Sequence, residues 1–104
     1  MAKYKLKSKE PNLLAKIADA VHSGRYVISS HAFKRAKDRL VPVAHVEHAL
    51  LNGFHEPRKD KFESFFDSWN YAIRGTTPDQ TKVRIIVAFA DDGLLVVTVI
   101  NLDQ

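Results

Sequence analysis

The sequence predicts an α+β domain, with N-terminal helices packed on one face of a C-terminal antiparallel sheet of three to four strands. Three observations predict it. Residues 11–53 repeat their apolar side chains at helical spacing, whereas residues 68–89 repeat them at every second position. The period changes near Phe54, and Asp92-Gly93 is a hairpin turn signal between the last two strands.

The first helix is expected to begin at Pro11, a residue suited to the first helical position. Leu13, Leu14, Ile17, Ala18 and Val21 form its apolar stripe, and Gly24 is a left-handed stop. "RYVIS" (25–29) reads as a short extended link. Ser29 or Ser30 caps a second helix that runs to about Leu40, with Ala32, Phe33, Ala36 and Leu40 turned to the core. A third helix follows Pro42 and stops at Gly53, with Val43, Val46, Ala49 and Leu50 as its core face.

"EPRKDKFESFF" (56–66) reads as a lysine-rich edge strand. In "SWNYAIRG" (68–75), Trp69, Tyr71 and Ile73 alternate with Ser68, Asn70, Ala72 and Arg74. In "KVRIIVAF" (82–89), Val83, Ile85, Val87 and Phe89 alternate with Lys82, Arg84, Ile86 and Ala88. "GTTPDQT" (75–81) is the polar turn that joins them. "LLVVTVI" (94–100) is apolar on both faces, as a central or doubly covered strand would be.

The 104 residues suit one domain, 1–104, with residues 1–9, carrying Lys3, Lys5, Lys7 and Lys9, as either a flexible basic arm or an ordered strand. The absence of cysteine excludes a disulfide scaffold, a thiol nucleophile and cysteine-ligated zinc. No apolar run approaches the ~20 residues of a membrane span, and no signal peptide is evident, so a cytoplasmic location is expected. A net charge of +4 favours polyanionic partners.

Within "SSHAFKRAKDRL" (29–40), His31, Arg35 and Arg39 stand four residues apart, so they form one stripe if the helix is regular. A neutral imidazole at the helix start can accept a proton, and guanidinium groups can hold a phosphate by paired hydrogen bonds. Arg74 and Arg84 lie on the polar alternation of two neighbouring strands, which turns both onto one outer surface. For metal-independent acid–base chemistry on a phosphate, the candidate catalytic residues are His31, Arg74 and Arg84. The candidate nucleic-acid contacts are Arg35, Arg39 and Lys82. Against this stands a plain structural alternative, in which His31 starts the helix and the arginines pair with carboxylates.

Trp69 and Tyr71 share a strand face with Ile73 and are expected in the core rather than against bases. His45 and His48 are three apart, but only His55 offers a third ligand, so no metal and no cofactor are expected. Ile86 and Ala88 share the Arg84 face, which a partner strand or a second subunit could cover through the sheet edge or face.

"HAFKRAKDRLVPVAHVEHALLNG" (31–53) resembles the signature of a small bacterial family, domain of unknown function 4258. His31, Ala32, Arg35, Arg39, Val46, Leu50 and Gly53 fall on its marked positions. Arg74-Gly75, "VRIIVAF" and "VVTVI" are similar to the strands that follow it. Ala36, Leu40 and His45 depart from it, standing where the family usually has Met, Gly and Asp. The resemblance implies a place near the RelE/ParE-like toxins and an α+β fold of their kind. It also implies a toxin-like RNA-binding or RNA-cleaving protein, in contact with RNA or the ribosome and neutralised by an antitoxin-like partner. The alternative is a non-catalytic binding domain of toxin-like fold that acts through a protein partner.

Overall fold

Local signals set the ends of the helices. The computed structural model describes residues 8–103. Helix α1 spans Leu13–His22, two residues after Pro11, because Asn12 adopts a left-handed conformation (φ 56°) that keeps the preceding turn out of the helix. Gly24, at φ 73°, ends it as expected. Helix α2 spans Ser30–Asp38, and the Ser29 hydroxyl caps it by accepting from the Ala32 N–H at 3.0 Å. Helix α3 spans Val43–Asn52, between Pro42 and Gly53.

The sheet has more strands than the periodicity suggests, and it is mixed. Its strands are β1 (Tyr26–Ile28), β2 (Phe54–His55), β3 (Lys61–Glu63), β4 (Ser68–Thr76), β5 (Lys82–Ala90) and β6 (Gly93–Asn101). They lie in the order β1-β6-β5-β4-β2, with β3 also paired to β4. The segment read as a link is β1, and it pairs in parallel with β6 in an otherwise antiparallel sheet. The expected edge strand is shorter than 56–66: a 3-10 turn at Pro57–Lys59 precedes β3.

The alternation of β4 and β5 divides the sheet into two faces. Tyr71, Ile73, Val83, Ile85 and Val87 form one core with Leu94, Val96 and Val99 of β6 and with Leu13, Ile17, Ala32, Ala36, Val46, Ala49 and Leu50 of the helices. The three-residue step from Val96 to Val99 reflects a bulge. Ile86 pairs with Thr98 but Val87 with Val96, so Val97 is the extra residue, and the strand keeps apolar side chains inward on both sides of it. The apparent two-faced apolarity of "LLVVTVI" thus has a register shift as its cause. Among the described residues, none of the three α-helices packs on the other face, where Ala72 and Ala88 are nevertheless buried and the Pro57–Lys59 turn lies against β4.

Helix α3 meets the sheet at its closest approach. A Cβ on Gly75 would fall 2.6 Å from the Ala49 carbonyl oxygen, and one on Gly53 would fall 2.5 Å from the same atom. Gly75, next to the last residue of β4, is therefore a packing requirement, since only glycine lets the helix backbone lie this near the strand.

Two residues expected in the core of α2 are outside it. Ala32 and Ala36 are buried, but Phe33 is 54% exposed and Leu40 82% exposed. The two alanines, one helical turn apart, already fill the face against β6, and Phe33 lies a step round the cylinder. Leu40 lies beyond the helix, because Arg39 ends it and Leu40 turns left-handed at φ 58°. Position 40 is where the family signature places glycine, the residue that this conformation favours.

Of the expected basic arm, residues 1–7 lie outside the described residues. Lys9 is fastened: its ammonium is 2.9 Å from Asp60 and 4.6 Å from the centre of the Trp69 ring.

Candidate nucleic-acid interface

One row of residues crosses four strands on the helix-free face. Phe54 of β2 is paired with Arg74 of β4, Arg74 with Arg84 of β5, and Arg84 with Ile100 of β6. The adjoining row sets Thr76 opposite Lys82. The expectation that Arg74 and Arg84 share an outer surface is met by direct cross-strand pairing.

A carboxylate organises the pair. Glu56 is placed over the β4 edge by its N–H, which donates to the Ala72 carbonyl at 2.8 Å. Arg84 donates to it from Nε at 2.7 Å and from Nη2 at 3.4 Å. Arg74 is farther away, its Nη1 lying 3.7 Å from Glu56 Oε2. The Arg84 hydrogen bond holds the Glu56 carboxyl below its ordinary value, against the upward push of burial, with the charges of both arginines assisting. The two guanidinium groups are thus unequal. Arg84 is 16% exposed and doubly engaged, whereas Arg74 is 38% exposed and held only at ion-pair distance.

Phe54 stands beside Arg74 and is 56% exposed. The two line an open groove of about 490 Å³ whose walls include His48, Asn52, Thr76 and Gln80. An accessible ring next to an accessible guanidinium offers a flat apolar surface and an anion-binding group side by side. Local sequence alone does not mark Phe54. Its one signal is an aromatic residue directly after the Gly53 helix stop, too close to the stop to belong to the helix core.

The segment that carries Phe54 and Glu56 is locked by a second carboxylate. The Asp60 side chain is fully buried and accepts from the Ala72 N–H at 2.9 Å, while His55 Nε2 lies 2.7 Å away and Lys9 Nζ 2.9 Å away. His55 therefore supports the loop.

The other candidates divide. Lys82 is exposed near Arg84, its backbone N–H donating to Asp103 at 2.9 Å. The side chains of His31 and Arg35 are exposed on α2 and make no hydrogen bond or ion pair among the described residues. They belong to the helical layer, so the sheet separates them from Arg74 and Arg84. Arg39 is not the third member of a helical stripe: it donates from Nη1 to the Val99 carbonyl at 2.8 Å and ties the end of α2 to β6.

His45 lies 4.0 Å from Asp79, and His48 lies beside Asn52. Among the described residues no three metal-ligating side chains converge. Tyr71 is buried and accepts from the Glu10 N–H, and burial raises its phenol above the ordinary value. Among the described residues no helix is long and apolar enough to cross a membrane.

A family model described as Domain of unknown function (DUF4258) matches residues 28–101. No curated protein and no solved structure matches the chain.

Proposed function

The chain belongs to the domain of unknown function family DUF4258, and we propose that it is an RNA-contacting domain of a toxin-like kind whose working surface is the helix-free face of its sheet. The observation that carries this proposal is the cross-strand row Phe54–Arg74–Arg84, flanked by Lys82. Single-stranded RNA is held by cations that track phosphates and by aromatic rings on which bases stack. Arg74 is the phosphate contact, Phe54 the stacking surface and Lys82 a second cation. Arg84 is a positioning residue, since it fixes Glu56 and through it the adjoining β2 strand that carries Phe54.

The proposal is contact with RNA, not its cleavage. Of the three residues expected to perform the chemistry, His31 is across the sheet and Arg84 is doubly engaged with Glu56.

Fluorescence anisotropy with an unstructured RNA oligonucleotide tests this over a series of salt concentrations. Phe54→Ala should weaken binding by about 1–3 kcal/mol, the usual worth of one stacked base. Arg74→Ala should weaken it and reduce the slope of log K against log salt by about 0.7, as expected for one lost contact to a single strand. Neither substitution should lower the melting temperature by more than about 3 °C, because both side chains are substantially exposed. Unchanged affinity in both variants would remove the site.

A further inference from the structure

The helical layer carries a second surface that the RNA reading leaves unused. The C-terminal half of α2, the Leu40–Pro42 link and the start of α3 enclose a groove of about 420 Å³. Ala36 and Val41 are its buried floor, and Phe33, Leu40 and Val43 are its exposed walls. Leu40 is the most exposed of these at 82% and occupies the left-handed region. That conformation costs a leucine about 1–2 kcal/mol. Neither folding nor solubility is served by an aliphatic side chain held in water at such a backbone cost, whereas a docking surface is.

We infer that this groove docks an acidic amphipathic helix of another protein, with leucine or phenylalanine anchors seated against Phe33 and Leu40. The charge around it selects the partner. Lys37 lines the groove, and Lys34, one turn earlier on the same exposed flank of α2, adds a second positive charge. Among the described residues neither lysine has an ion pair, and Asp38 is the one acid of α2. Glu47 of α3 is engaged by the Tyr26 hydroxyl.

A second copy of this chain would bring the same lysines against each other. The Lys3–Lys7 segment of the chain has the same sign, so neither is the favoured occupant. The groove is built from two helix ends and the link between them, with no strand edge in its lining, so recognition runs through side-chain anchors on a helix rather than through strand addition. The groove is independent of the RNA proposal, because it shares no lining residue with the groove beside Phe54 and Arg74.

The test uses the full chain and a fluorescein-labelled helical peptide of roughly 15 residues, with leucines at i, i+3 and i+7 and glutamates on its other face. A second peptide has lysine in place of every glutamate. Anisotropy should show saturable binding of the acidic peptide and none of the basic one. Leu40→Gly should weaken that binding about tenfold or more. The same variant should raise the melting temperature, because glycine relieves the left-handed backbone and little burial is lost. Weaker binding by a more stable protein separates docking from a structural role. Phe33→Ala should also weaken binding, while Arg74→Ala should leave it unchanged.

Any of four results would overturn the inference. These are no saturable binding, equal binding of the two peptides, unchanged affinity in Leu40→Gly, and a sedimentation dimer that Leu40→Gly converts to monomer. The last would assign the groove to a second copy.

Discussion

Gly75→Ala should destabilise the protein by about 3 kcal/mol, the upper part of the usual range for overpacking a well-filled core. The added methyl would meet the Ala49 carbonyl oxygen at 2.6 Å, the Ala49 Cβ at 2.9 Å and its Cα at 3.0 Å. Two of these atoms are backbone, so no rotamer change relieves the contact, and α3 must lift from β4. The melting temperature should fall by about 15 °C for a domain of this size. Ala49→Gly should rescue little of the loss, because the nearest atom, the carbonyl oxygen, remains. Gly24→Ala is the control, since nothing lies within 4 Å of a Cβ there. Its cost should be only the left-handed penalty, about 1 kcal/mol. Equal effects of the two substitutions in thermal melts would mean that α3 does not lie as near the strand as described.

Arg84→Ala should cost about 2 kcal/mol near neutral pH, less than the full penalty for a wholly buried pair because both groups keep some solvent contact. The loss should depend on pH in a defined direction. Glu56 is held below its ordinary value of 4.5 chiefly by the Arg84 hydrogen bond. A carboxyl depressed in the folded state stabilises the protein above its unfolded value, and that stability is lost as pH falls through the folded value. The wild-type advantage over Arg84→Ala should therefore be full at about pH 7 and shrink markedly by about pH 3. Urea titrations of both proteins at the two pH values measure the difference directly. A gap that stays constant or widens on acidification would show that Glu56 is not the group Arg84 stabilises.

The parts of the fold legible in the sequence are those specified locally. Pro42 and Gly53 bracket α3 because the start and stop of a helix depend on residues within a turn of its ends. The nine-residue strands β4 and β5 are long enough for alternation to be read. Strands β1 and β2, three and two residues long, are too short to show a period, and both exist through pairing with distant strands. Leu40 misled because its place on a helical wheel presumes a helix that ends before it.

The candidate site was legible to the same extent. The alternation of residues 68–89 places Arg74 and Arg84 on one face, and the register shows them opposite each other. What alternation does not carry is the carboxylate between them. Glu56 reaches Arg84 across 28 residues of sequence, brought there by the 3-10 turn and by Asp60 anchoring the loop to β4. Phe54 was missed for the same reason, because its neighbour Arg74 is twenty residues away along the chain. The stripe His31, Arg35, Arg39 is real in spacing, yet its last member lies past the helix end and holds a β6 carbonyl.

Amide chemical-shift mapping of the full chain, titrated with a single-stranded RNA oligonucleotide, tests the central claim most directly. The largest shifts should fall on Phe54, Arg74, Thr76, Lys82 and Arg84, and the same titration of Arg74→Ala should lose most of them. Shifts concentrated on His31 to Lys37 of α2, or no saturable shifts at all, would contradict it.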